Sequence, residues 1–167
     1  MGIFSFVKGI GDKLTGRDKL EDAYAKTAAP TGVPAAPAEP NAQAMANLLL
    51  KRVQDLGLSI ENLSVNYNGN TDTVDVSGKA KTQADREKAI LALGNVDHVA
   101  TVVDHITLDT PEPESRMYTV KSGDNLSKIA KEMYGDANQY PKIFDANKPM
   151  LSSPDKIYPG QVLRIPA

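Results

Sequence analysis

The sequence predicts an α+β protein built from two small units in series, the first ordered α-β-β-α-β and the second β-α-α-β. Three observations carry this prediction. Apolar residues recur at helical spacing in some stretches and alternate in others, so both element types are present. Two proline-rich stretches, 27–41 and 109–116, cannot form packed elements and read as linkers. A length of 167 residues allows one or two domains, and the linkers decide for two. The divisions are an N-terminal segment 1–26, an Ala/Pro linker 27–41, a first domain 42–108, a second linker 109–116 and a second domain 117–167.

At the N-terminus, in MGIFSFVKGIGDKL, the residues Ile3, Val7, Ile10 and Leu14 recur at helical spacing with Phe6 beside them. Gly9 and Gly11 each cost about 1 kcal/mol of helix stability relative to alanine. The segment therefore reads as a short or broken amphipathic helix, docked on a partner surface, on the next domain or on membrane headgroups. It is not a secretory signal, because Ile3 to Val7 is too short an apolar run and Lys8 follows it. Phe6 stands where a myristoylation signal needs Ser or Thr. No run approaches the roughly 20 apolar residues of a membrane span.

In the first unit, Met45, Leu48, Leu49, Val53 and Leu56 place a helix over 42–56 that stops at Gly57. Leu63 to Asn68 and Thr73 to Lys79 alternate as strands, joined by a turn at Asn68-Gly-Asn70. Thr82 caps a second helix over 84–93, whose inner face carries Ala89, Ile90 and Leu93 and which ends at Gly94. Gly94 is expected to have a positive φ, as glycines that end helices commonly do. Thr101 to Leu108 is the third strand. The second linker, with its prolines and acids, is expected to be extended and solvated.

In the second unit, Tyr118-Thr-Val120 reads as a strand ended by the turn residues Lys121 to Asp124. Asp124 or Asn125 caps a helix carrying Leu126, Ile129, Ala130 and Met133, which Gly135 stops. A shorter helix opens at Asn138 or Gln139 and carries Tyr140, Ile143, Phe144 and Asn147, and Pro149 forbids much further continuation. Tyr158-Pro-Gly160 is a turn before the returning strand, Val162 to Ile165.

Composition narrows the function. There are no cysteines, which removes disulfide frameworks, thiol nucleophiles and cysteine zinc sites and is compatible with a reducing cytoplasm. A net charge of −2 with interspersed signs leaves no basic stripe for nucleic acid. No nucleophile motif sits in a strand–helix context, so an enzyme is not expected. The two histidines, His98 and His105, stand seven apart across a loop and a strand, so they are expected to point in different directions or lie far apart, and neither has a metal-ligand neighbour at useful spacing. Asn66, Asn68, Asn70 and Asp72 alternate as in a calcium loop but lack its mid-loop glycine and closing glutamate, and read as a polar hairpin.

One site remains to be drawn from the backbone. A helix leaves its last carbonyls unpaired and carries partial negative charge at that end. The helix ending at Gly94 points oxygens at the loop 94–99, and the segment around Val7 to Gly11 would expose more. Converging carbonyls without formal charge suit a large, weakly hydrated monovalent ion such as K⁺.

YTVKSGDNLSKIAKEMYG and YPGQVLRIP together resemble the LysM domain. The resemblance implies binding of N-acetylglucosamine-containing glycans such as peptidoglycan in a shallow groove between two loops. Here those loops carry Gly123, Asp124, Asn125 and Leu126, and Ile157, Tyr158, Pro159 and Gly160. In the other reading, Asp124 and Asn125 only cap, and Ile157 and Tyr158 only pack. Residues 63–108, with VDVSG, the helix over 82–93 and GNVDHVATV, resemble the BON domain, a three-stranded module linked to lipid or partner binding and without catalytic residues.

The whole chain, from MGIFSFVKGIGDKL through LALGNVDHVATV to YPKIFDANKPMLSSPDKIYPGQVLRIP, resembles the bacterial cytoplasmic potassium-binding proteins that join BON to LysM. This implies K⁺ binding by the BON domain with help from the N-terminal segment, and a change in compactness when the ion binds. From the resemblance and the helix-end argument together, the expected ligands are the backbone carbonyls of Val7, Ile10, Gly94, Val96 and Val99. The expectation is a cytoplasmic, monomeric K⁺ sensor or buffer, with a glycan or protein partner for LysM left open. The competing reading is a glycan-binding LysM protein of the cell envelope.

Overall fold

The computed structural model describes residues 2–6, 42–96 and 99–167. Its elements in the first unit are β1 (Gly2–Ser5), α1 (Ala42–Asp55), β2 (Ile60–Asn68), β3 (Thr73–Ala80), α2 (Gln83–Gly94) and β4 (Thr101–Leu108). Period-two alternation puts Val74, Val76, Val102 and Ile106 on one face of β3 and β4, where each is buried. A strand, a helix and a parallel strand follow one another, so β3 and β4 pair through the α2 crossover. The β2–β3 hairpin and the antiparallel β1 complete a four-stranded sheet of order β1-β4-β3-β2. Met45, Leu49 and Val53 of α1 and Ala89, Ile90 and Leu93 of α2 cover its apolar face. Burying each large aliphatic among them stabilises the fold by roughly 1.5–3 kcal/mol.

The N-terminal expectation is corrected here. Residues 2–5 form a strand, not the start of a helix, and the unit has four strands rather than three. Gly2 to Ser5 pairs with Asp104 to Thr101, because the free edge of β4 offers hydrogen bonds that a glycine-interrupted helix cannot match. Phe4 packs on the core and Ile3 is 72% exposed, the alternation of a strand with one buried face. Val7, Ile10 and Leu14 lie outside the described residues.

Other boundaries follow the sequence closely. Thr82 caps α2, its Oγ1 accepting from the Asp85 amide at 3.1 Å. Gly57 takes φ 66° just after α1. β2 starts three residues before the alternation at Leu63, with an irregular register between Glu61 and Ser64 that the sequence did not signal.

The second unit contains β5 (Arg116–Thr119), α3 (Leu126–Tyr134), a 3-10 turn (Ala137–Gln139), α4 (Tyr140–Ala146) and β6 (Val162–Ile165). Asn125, not Asp124, is the cap of α3, accepting from the Lys128 amide at 2.8 Å. Gly135 stops that helix at φ 80°. The short second helix is preceded by the 3-10 turn, which Asp136 caps; Asn138 lies in that turn, and Gln139, its last residue, is the N-cap that opens α4, as expected, without a side-chain cap bond. β5 and β6 form a two-stranded antiparallel sheet over a separate core of Ile129, Ile143, Leu151, Leu163 and Ile165.

The two cores meet along α2. Asn95, the C-cap of that helix, exchanges two 2.8 Å hydrogen bonds with the backbone of Val162, donating from Nδ2 to its carbonyl and accepting its amide at Oδ1. The side chain thereby imitates a neighbouring strand on the open edge of β6. Glu87, 1% exposed, pairs with Arg164 of β6 and accepts from Gln83 Nε2 at 2.8 Å and the Ser115 amide at 2.7 Å. Glu112 accepts the Gln83 amide at 2.8 Å, and Met150 packs on the first core. The second linker, expected to be extended and solvated, is exposed over 109–114 and is also held to α2 by hydrogen bonds at Glu112 and the Ser115 amide.

Candidate functional site

The C-terminal end of α2 and the turn after it are held from several directions. The Asn95 amide donates to Leu91 O at 2.9 Å, the Val99 amide to Val96 O at 3.2 Å and the Ala100 amide to Asp72 O at 2.8 Å. Beyond β1, the Phe6 amide donates to Ala100 O at 2.9 Å, which carries the N-terminal strand across the end of this turn. Val99 is 1% exposed and Val96 is 7% exposed, so the turn is anchored by its apolar side chains while its backbone stays at the helix end.

Gly94 departs from expectation. It is the last helical residue and is not among the positive-φ glycines; the cap is Asn95, at φ −81° and ψ 29°. A glycine is needed there for space. A Cβ on Gly94 would lie 2.0 Å from Phe6 Cζ and 2.1 Å from Phe6 Cε2, so the Phe6 ring lies flush against the bare Cα.

Gly94, Val96 and Val99 follow closely at the end of α2, where Val96 O accepts from the Val99 amide and keeps its second lone pair. Of the five expected ligands, these three lie on one turn of chain at the negative end of α2. Val7 and Ile10, and also His98, lie outside the described residues. Among the described residues no group of three or more His, Cys, Asp or Glu is placed to hold a metal. Neutral oxygens at a helix end fit a weakly hydrated monovalent cation and lack the charge that Mg²⁺ or Ca²⁺ sites use.

The polar hairpin is as expected. Asn68 Oδ1 accepts from the Asn70 amide at 3.0 Å, and the Tyr67 hydroxyl donates to Asp72 Oδ1 at 3.1 Å. His105 does gain a neighbour that its sequence position did not show: its Nε2 lies 3.6 Å from Asp75 Oδ1 on the exposed sheet face. The parallel β3–β4 register sets Asp75 beside Val103 and Ser77 beside His105, a juxtaposition invisible to sequence spacing.

The two loops of the expected glycan groove are brought together. The Gly160 amide donates to Val120 O and the Val120 amide to Gln161 O, both at 2.8 Å. Gly123 and Gly160 take φ 83° and 89°, left-handed values that favour glycine. The polar side chains of the first loop serve the fold. Asp124 Oδ2 accepts from the Tyr118 hydroxyl and the Lys121 amide, each at 2.9 Å, and Asn125 caps α3. The Lys121 amide is the leading cause holding the Asp124 carboxyl below its ordinary value, and burial followed by the Asp124 bond pushes the Tyr118 hydroxyl up to about 12. Leu126 is in the core and Ile157 packs against it, while Tyr158 is half-buried and Pro159 exposed.

Sequence reasoning missed Phe6 as the residue facing Gly94, Asn95 as the latch on β6, and Arg52, whose Nε donates to Ala92 O at 2.7 Å. Phe6 and Gly94 stand far apart in the chain, and only the β1–β4 pairing joins them. Asn95 follows a helix-ending glycine, a position where a polar cap could have been sought.

Comparison with known proteins agrees with this architecture. Residues 118–166 match the LysM domain family. The chain is 42% identical over 173 residues to the "Potassium binding protein Kbp" of Escherichia coli O6:H1, covering 99% of both chains. It is also 43% identical over 93 residues to an uncharacterized protein of Deinococcus radiodurans, covering 56% of this chain and 29% of that one. A third similarity, 38% over 60 residues, is to the uncharacterized protein YqbP of Bacillus subtilis and covers 30% and 27% of the two chains. Near-complete coverage on both sides at that identity decides the assignment: the chain carries a LysM domain and belongs to the Kbp family.

Proposed function

We propose that this chain binds potassium ion in the cytoplasm as a K⁺ sensor or buffer, without catalysing a reaction. The ion is held by backbone carbonyls of Gly94, Val96 and Val99, with Val7 and Ile10 of the N-terminal segment. The observation that carries the reading is the end of α2, where uncharged oxygens at a negative helix terminus sit beside Phe6, so that the N-terminal segment is led to the same turn. The relative's printed name supports K⁺ as the ion. The working units are a BON-type domain over 42–108, completed by β1, and a LysM domain over 117–167, joined by 109–116. Asn95 stands between two of the proposed ligands and bonds to Val162 of β6, which supports a change in compactness when the ion binds.

K⁺ is expected to raise the melting temperature and Na⁺ to do so far less at equal ionic strength. A ligand at a hundred times its Kd adds about 2.7 kcal/mol to the native state. Deleting residues 1–14 should weaken the K⁺ effect by removing Phe6 and two proposed ligands. Equal melting curves in KCl and NaCl would sink the reading.

The LysM match keeps a second reading in view, that of a peptidoglycan-binding protein of the envelope. It is favoured by the joined loops around Val120 and Gly160. Fractionation that finds the protein on the cell wall, together with retention on N-acetylglucosamine oligomers, would support it over the first.

A further inference from the structure

The end of α2 already holds a cation of the protein's own. Arg52 lies in the last turn of α1, and its guanidinium crosses to α2, where Nε donates to Ala92 O at 2.7 Å. Ala92 contributes one of the last carbonyls of the helix that ends at Gly94. α2 has no basic residue in its own last turn, so Arg52 is borrowed from the neighbouring helix to meet the negative end of its dipole. The side chain is half-buried, and a charge held there is screened less than one in open solvent.

A permanent positive charge beside a cation site has a cost and a use. It lowers the affinity of the site for every cation, but Coulomb energy scales with the charge of the incoming ion. A divalent ion meets twice the repulsion of a monovalent one at the same place. Carbonyls alone would not make this distinction, since their partial charges attract the divalent ion more strongly.

We infer that Arg52 is the residue that sets the charge selectivity of the ion site, holding divalent cations off the end of α2 while leaving it open to monovalent ones. The inference rests on the K⁺ reading of that helix end. It makes a relation that needs no distance: if neutralising Arg52 raises K⁺ affinity by some factor, it raises the affinity for a divalent ion of the same size by about the square of that factor. Ba²⁺ is the suitable probe, because its ionic radius is close to that of K⁺ and only its charge differs.

The test is titration calorimetry of the full chain with KCl and BaCl₂ at fixed ionic strength, for the natural protein, Arg52→Gln and Arg52→Lys. Arg52→Gln should gain on the order of tenfold for K⁺ and a hundredfold for Ba²⁺, the change expected on removing a unit charge about 12 Å from the ion at an effective dielectric of about 20. Arg52→Lys keeps the charge and should hold the natural K⁺-to-Ba²⁺ ratio. Should Arg52→Gln fail to fold, Arg52→Met keeps the apolar stem and carries the same test. A natural chain that takes up no K⁺ would overturn the ion site itself and the inference with it. A natural chain that binds K⁺, with an Arg52→Gln variant whose ratio is unchanged or whose two affinities fall together, would overturn the role of Arg52 alone.

Discussion

Glu87→Gln is expected to destabilise the protein by roughly 3–5 kcal/mol, because it leaves Arg164 in a dry interface without its anion. Both partners are largely buried: the Glu87 side chain is 1% exposed and the Arg164 side chain 13%. The loss should appear as a lower denaturant midpoint. Arg164→Met should cost a similar amount, and the double variant Glu87→Leu/Arg164→Met should recover most of it, since a buried pair replaced by apolar groups is often neutral. Additive losses in the double variant would mean that the two residues act independently.

The pair also gives the stability an acid limb. Burial pushes the Glu87 carboxyl up, but the bonds from Arg164, Gln83 and Ser115 outweigh it and hold the group below its ordinary value. A depressed carboxyl contributes stability that is fully present above the unfolded value, about 4.3 for glutamate, and is lost as pH falls through the folded one. The natural chain should therefore lose stability in that acid range, and Glu87→Gln should lose this component of the dependence.

Gly94→Ala is the second large effect, and its sign is the informative part. Alanine is normally the better helix former by about 1 kcal/mol, and Gly94 has no positive φ to lose. Its Cβ would nevertheless fall 2.0 Å from the Phe6 ring. Overpacking of this kind costs roughly 1–3 kcal/mol, and valine should cost more and displace the N-terminal strand from the turn after α2. In a Phe6→Ala background the same Gly94→Ala change should become neutral or stabilising, a coupling that a double-mutant cycle reads directly. If Gly94→Ala destabilises equally with and without Phe6, the ring is not what reserves the space.

These two results mark the boundary of what the sequence could reveal. Thr82, Asn125, Gly135 and the alternation of Val74 with Val76 act over a few residues, so their roles could be read from local spacing. Gly94 was recognised as special for the wrong reason, since its constraint comes from Phe6 and not from its own backbone. The first residues carried a helical pattern in Ile3 and Val7, yet the open edge of β4 captured Gly2 to Ser5 as a strand. Tertiary pairing overrode periodicity there. The loops at Gly123 and Gly160 were placed correctly because turn chemistry is local. The Asn95–Val162 and Glu87–Arg164 contacts join elements too far apart in the chain for spacing to suggest them.

The most direct test of the ion site follows the backbone carbonyl carbons by NMR as K⁺ is added to the full-length protein, with Na⁺ as the control. Saturable carbonyl shifts at Gly94, Val96 and Val99 with K⁺, and none with Na⁺, are the predicted result. Shifts confined to carboxylates such as Asp72 and Asp75, or carbonyls at the end of α2 that do not respond while K⁺ binds, would contradict it.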